Sequence, residues 1–212
     1  MNHTKRFTQL IEQYSPGLKP VLPVIVIEEI DHAIPLAQAL VAGGVNFLEI
    51  TLRTEHGLEA IKRIKENVEG ACVGAGTVTN EREFESCLDS GAEFLISPGI
   101  TPTLAKYSED SPVPYLPGIA TASELMLAQE YGLNELKFFP AEQAGGIPML
   151  QALLGPFPHL SFCPTGGINA NNANNYRSIN QVMAVGGSWI CPSSLIRRQQ
   201  WQEISELCKT AM

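Results

Sequence analysis

The chain has 212 residues, 44% hydrophobic and 17% charged, with a formal net charge of −8. That length and composition allow one large buried core, and the acidic balance argues against a nucleic-acid surface, which needs a basic patch. Five scattered cysteines, odd in number and without a CxxC pair, argue against a disulfide framework or a zinc module and suit a reducing compartment. Residues 1–17 lack the apolar core of a signal peptide, and no apolar run approaches the ~18 residues of a membrane helix. The expected location is the cytoplasm, with no membrane partner.

Taken in order, the first seventeen residues or so predict an amphipathic helix with Phe7, Leu10, Ile11 and Tyr14 on one face. Val21 to Ile27 is a nearly unbroken β-branched run, the mark of a strand covered on both faces. A helix is expected from about Asp31, as N-cap, to Ala42, stopped by Gly43-Gly44. Val45–Thr51 reads as the second strand, Glu55–Asn67 as a helix and Ala71–Ala75 as the third strand, with Asn80 capping the next helix. The alternation continues with strands at 93–97, 113–116, 135–139, 160–163 and 181–185. Helices are expected at 102–107, 123–131, 148–154 and 199–211. The Asn-rich segment Asn169–Asn180 reads as a cap and a short helix without assigned chemistry.

Roughly eight strand–helix units with short connections imply a parallel sheet. A chain of this length fits a single α/β domain over residues 1–212. The expected architecture is a (β/α)8 TIM barrel, with an N-terminal helical segment at residues 1–18 packed on it. An open doubly wound sheet is the alternative.

In a barrel the reactive groups lie at the C-terminal strand ends. Lys137 sits inside the apolar run Leu136 to Phe139, where an ammonium is costly to bury. It reads either as a Schiff-base nucleophile or as an edge-strand lysine whose head snorkels to water. Glu49, inside the apolar strand Phe47–Ile50, shares a strand face with Thr51 and Arg53. The pair is either a general base with a carboxylate-binding guanidinium, or a structural ion pair. Gly166-Gly167 and Gly187-Ser188 follow the last two strands, where backbone amides can approach a phosphate. Gly74–Thr77 is not a dinucleotide fingerprint and reads as a close-approach turn with Thr77 free to hydrogen-bond. His3, His32, His56 and His159 are isolated and read as surface residues, so no metal site is expected.

These stretches, in this order, resemble the class I 2-keto-3-deoxy-6-phosphogluconate (KDPG) and 4-hydroxy-2-oxoglutarate (KHG) aldolase family. The matching pieces include VLPVIVI, LVAGGVNFLEITLRT, VGAGTV, ISPGIT, LKFFPAE, FCPTGGI and VGGSW, spanning about Val21 to Trp189. The resemblance implies a (β/α)8 barrel, a homotrimer, no cofactor and a small 2-keto acid substrate. It implies Lys137 as Schiff-base lysine, Glu49 as acid/base and Arg53 as carboxylate binder. Thr77, Pro98, Phe139 and Thr165 match the pyruvyl site, and Gly166, Gly167, Gly187 and Ser188 the phosphate site. Burial beside Phe139 and the Arg53 cation would favour a neutral Lys137 amine. Glu49 would act against that, so the two are expected not to form a tight ion pair. The rival expectations are a non-covalent phosphate-binding isomerase or epimerase using Glu49 alone, and a non-catalytic sugar-phosphate binder.

Overall fold

The computed structural model describes residues 6–211, so residues 1–5 of the expected N-terminal segment lie outside the described part. Six strands form one parallel sheet in the order β5-β4-β3-β2-β1-β9. They are β1 (Val21–Ile25), β2 (Phe47–Thr51), β3 (Cys72–Gly76), β4 (Leu95–Ile96), β5 (Tyr115–Leu116) and β9 (Val185–Gly187). A second parallel sheet, ordered β6-β7-β8, comprises β6 (Gly118–Ile119), β7 (Glu135–Phe138) and β8 (Ser161–Pro164). Every residue of β2 and β3 is buried, as expected for parallel strands covered on both faces.

Pro117 alone separates β5 from β6, and its carbonyl accepts the Lys137 N–H at 2.8 Å. A proline cannot donate to the ladder, so one continuous segment is split where it changes sheets. The split is an addition to the eight strands expected from the sequence. Isolated parallel bridges Phe162–Val182 and Thr165–Gly186 tie β8 to the segment ending in β9. The last strand, expected at Gln181–Val185, is therefore divided. Residues 181–183 hydrogen-bond to Phe162 of β8, and the regular strand beside β1 begins only at Val185.

The helices are α1 (Phe7–Tyr14), α2 (Ala33–Ala42), α3 (Gly57–Asn67), α4 (Glu81–Asp89), α5 (Pro102–Tyr107), α6 (Ala122–Glu130), α7 (Gly146–Leu154), α8 (Ala173–Arg177), α9 (Ser193–Arg197) and α10 (Trp201–Ala211). Asn80 caps α4 as expected, accepting the Glu83 N–H at 2.9 Å. Asp31 does not cap α2. A 3-10 turn over Ile30–His32 leads into that helix and leaves Asp31 exposed near Arg63. Only Ala173–Arg177 of the Asn-rich segment is helical, and α9 was not expected from the sequence. His32 corrects the surface reading. It is buried against the Trp201 ring at 5.6 Å because α10 folds back over α2.

Two apolar clusters fill the molecule. One lies between strands and helices, with Leu36, Leu40, Ile61, Phe84, Leu104 and Leu150 at its centre. The other gathers Phe7 and Ile11 of α1 with Leu22, Phe47, Phe94, Leu116 and Met183, mostly early residues of their strands. Helix α1 thus covers the N-terminal ends of the strands, with the Phe7 ring edge-on to Phe94 at 5.2 Å. Glu135, which opens β7, accepts hydrogen bonds from the Phe7 N–H, the Thr8 N–H and the Thr8 hydroxyl. A carboxylate there satisfies orphan donors of the first helical turn and complements its dipole. Glu135→Ala should cost about 2 kcal/mol, the range for charged hydrogen bonds. Denaturant unfolding would show this as a lower midpoint, and an unchanged midpoint would mean that α1 is held by its apolar face alone.

Candidate active site

Lys137 lies in the middle strand of its sheet, aligned with Gly118 on one side and Cys163 on the other. It therefore has no sheet edge over which to snorkel, and it is only 5% exposed. Its ammonium donates to Glu49 Oε1 at 3.0 Å, and Glu49 is 1% exposed. Two strands from different sheets thus aim opposite charges into one interior. The other Glu49 oxygen, Oε2, is buried without a partner among the described residues. Glu49 does not pair with Arg53, so the structural pair considered from sequence is absent.

The tight Lys137–Glu49 pair corrects the expectation that these two groups stay apart. Neither charge could be buried alone without a large desolvation cost, and each is the nearest counter-charge available to the other. Arg53 lies beyond the end of β2 in an exposed turn and makes no ion pair with Glu49. The Phe139 ring lies 5.3 Å from the Lys137 nitrogen, adding a cation–π contact.

Glycines make room for these side chains. A Cβ on Gly76 would stand 2.3 Å from Glu49 Oε1, and one on Gly186 would stand 2.1 Å from Thr165 Oγ1. Gly76 lies in β3 rather than in the turn expected for Gly74–Thr77. The close approach that its glycine permits is that of the Glu49 carboxylate. The Thr51 hydroxyl donates to the Ile25 carbonyl at 2.9 Å.

A cavity of about 450 Å³ opens over this pair at the C-terminal strand ends. Lys137, Arg53, Phe139 and Thr165 line it, together with Gly166, Gly167, Gly187 and Ser188. Eight of the residues picked out from sequence therefore share one cavity, with Glu49 bonded to Lys137 at its side. Thr77 and Pro98 follow β3 and β4 at the same end of the sheet, but they do not line the cavity. The sequence reading missed Val24, Val26, Ile168, Cys191, Ser193 and Ile196, which complete the wall. Val24 lies within β1, Val26 just beyond it, Ile168 and Cys191 in the loops after β8 and β9, and Ser193 and Ile196 in α9, and none carries a charge that could have marked it. A recess of about 580 Å³ between α4 and α5 holds none of the expected site residues.

Cys163, aligned with Lys137, is a second nucleophile by residue type. Burial pushes its thiol up to about 12, with Lys137 opposing and Glu49 reinforcing the effect. It stays a neutral thiol at physiological pH, and a thiol is a poor nucleophile.

A family model described as KDPG and KHG aldolase matches residues 16–207. The chain is 50% identical to the 2-dehydro-3-deoxy-phosphogluconate aldolase of Dickeya dadantii, over 91% of each sequence. It is 48% identical to the KHG/KDPG aldolase of Escherichia coli, again over 91% of each. Among solved structures, the KDPG aldolase of Legionella pneumophila, with pyruvate captured as a covalent carbinolamine, superposes with a TM-score of 0.89. That match has 47% identity and covers 91% of this chain and 94% of the other. The chain belongs to the KDPG and KHG aldolase family.

Proposed function

We propose that this protein is a class I aldolase. It cleaves 2-keto-3-deoxy-6-phosphogluconate to pyruvate and glyceraldehyde 3-phosphate, and 4-hydroxy-2-oxoglutarate to pyruvate and glyoxylate. The observation that carries the reading is the buried Lys137 ammonium, 3.0 Å from the Glu49 carboxylate at the side of a 450 Å³ cavity. The names of relatives at about half identity cover both substrates.

The pair sets the order of proton movements. Glu49 takes a proton from the Lys137 ammonium, and the freed amine attacks the C2 ketone to give a carbinolamine. Glu49 returns the proton to the departing hydroxyl, so that water leaves and a protonated imine remains on Lys137. Glu49 then removes the proton from the C4 hydroxyl, the C3–C4 bond breaks, and its electrons flow into the imine to form an enamine. Protonation at C3 and hydrolysis release pyruvate and restore the amine. The ion pair thus serves as the resting state of a proton shuttle.

Arg53 faces the same cavity and makes no ion pair among the described residues, leaving its guanidinium for the substrate carboxylate. Phe139 and Thr165 flank the pyruvyl group, with Thr77 and Pro98 at adjoining strand ends. Gly166, Gly167, Gly187 and Ser188 receive the phosphate through backbone amides. Gly166 and Gly167 have φ of 102° and 77°, a left-handed region that side-chain-bearing residues rarely adopt. Arg53→Ala should raise KM about tenfold or more for both substrates and change kcat little, as loss of a charge-assisted bond made equally in ground and transition states. Steady-state kinetics would decide it, and a fall in kcat at constant KM would move Arg53 into the chemical step.

The architecture we propose is one closed (β/α)8 barrel domain over residues 1–212. The bridges from β8 to the β9 segment and the continuous chain through Pro117 support it. A homotrimer and a cytoplasmic location belong to the same reading; the family resemblance supports the first, and five buried free cysteines support the second. The deciding experiment is incubation with pyruvate and borohydride, followed by peptide mapping. A reduced pyruvyl adduct on Lys137 is expected, and an unmodified folded protein would discard the covalent mechanism.

A further inference from the structure

The Asn-rich turn after β8 carries a contact that the chemistry above does not use. The Gly167 carbonyl accepts from Asn172 Nδ2 at 3.1 Å and from Asn169 Nδ2 at 3.3 Å. The opposite end of each amide is fixed independently. Asn172 Oδ1 accepts the Asn169 N–H at 2.8 Å, and Asn169 Oδ1 accepts the Asn171 N–H at 2.9 Å. An amide oxygen can only accept, so each nitrogen is left facing the Gly167 carbonyl.

A trans peptide holds its C=O and the following N–H in opposite directions. Pinning the Gly167 carbonyl toward Asn169 and Asn172 turns the Ile168 N–H the other way. Gly167 and Ile168 both line the cavity, and the Ile168 N–H has no partner among the described residues. At φ 77° Gly167 has few intrinsic preferences of its own, so something outside the peptide must hold its orientation. The Glu142 stem packs under it: a Cβ on Gly167 would lie 2.6 Å from Glu142 Cβ. Glu142 is in turn held by the Tyr176 hydroxyl.

We propose that Asn169 and Asn172 are positioning residues, which orient the Gly167–Ile168 peptide so that its N–H serves the phosphate of the phosphorylated substrate. The proposal rests on the phosphate-loop reading given above. It assigns the two asparagines to substrate preference, because a substrate without a phosphate does not use that N–H.

The test is steady-state kinetics on the wild type, Asn169→Ala, Asn172→Ala and the double variant, with 2-keto-3-deoxy-6-phosphogluconate and 4-hydroxy-2-oxoglutarate as substrates. The double variant should raise KM for the phosphorylated substrate about tenfold, the scale of one hydrogen bond to a charged group. Its kcat should stay within about twofold, and KM for the unphosphorylated substrate should not move, since only ground-state phosphate binding is affected. Each single variant keeps one amide on the carbonyl and should give about a threefold rise, less than half the double effect because the two share one acceptor. If the double variant does not fold, Asn172→Ala alone carries the same comparison. Unchanged KM for the phosphorylated substrate, or equal shifts for both substrates, would overturn the assignment. Ser188→Glu separates the two levels by placing a negative charge in the loop itself. If it raises KM for the phosphorylated substrate and the asparagine variants do not, only the positioning role falls. If it too has no effect, the phosphate-loop reading fails as well.

Discussion

Lys137→Met is expected to lose activity by on the order of 10⁵-fold or more, because the covalent route disappears and only non-covalent binding remains. The effect on stability has the same origin. Removing the ammonium leaves Glu49, 1% exposed, as an unpaired carboxylate in the interior, a change that costs about 3–5 kcal/mol for broken buried pairs. Adding Glu49→Gln to Lys137→Met should return most of that stability, since an amide needs no counter-charge, and should return none of the activity. Measuring both quantities on the single and double variants separates chemistry from folding. Substantial residual turnover in a folded Lys137→Met protein would favour the non-covalent isomerase or epimerase reading.

Glu49→Gln alone should lower kcat by about 10³-fold and leave KM within a few-fold, the range for losing a positioned general acid/base. The variant keeps the shape of the site, including the close approach to Gly76, and removes the proton acceptor together with the counter-charge of Lys137. Trapping with pyruvate and borohydride should still label Lys137, only more slowly, since the amine itself is intact. A large rise in KM with normal kcat would instead make Glu49 a binding group. Rapid-quench measurement of adduct formation, compared with steady-state cleavage, would locate the slowed step.

The elements that carry these predictions were differently visible in the sequence. The apolar runs at 21–27 and 45–51 announced buried parallel strands, because such strands have no solvent face to alternate against. Lys137 stood out as a cation in the separate apolar run Leu136–Phe139, and Glu49 as an anion in the run at 45–51. Their 3.0 Å contact was not legible, because strand alternation tells which face a side chain takes and not which distant strand it meets. Nucleophilicity alone favours keeping the two apart, but the cost of burying either charge alone outweighs that preference. Boundaries shifted by a few residues where the pattern had no local signal. The strand expected at 181–185 became a bridge and then a strand, because its two neighbours engage it at different heights. The asparagines after β8 looked like a low-information stretch, and their contact with Gly167 depends on a fold of the turn that composition does not encode.

The tight fit of Glu49 over Gly76 and of Thr165 over Gly186 has a practical bearing on attempts to alter which aldehydes this catalyst joins or releases. At these two positions even a methyl group would collide with a group of the site, so a randomised library that includes them would yield mostly inactive clones. Val24, Val26 and Ile196 border the same cavity and carry no ionisable group. Diversity placed there can reshape the space offered to the departing aldehyde while leaving the lysine and its carboxylate in register.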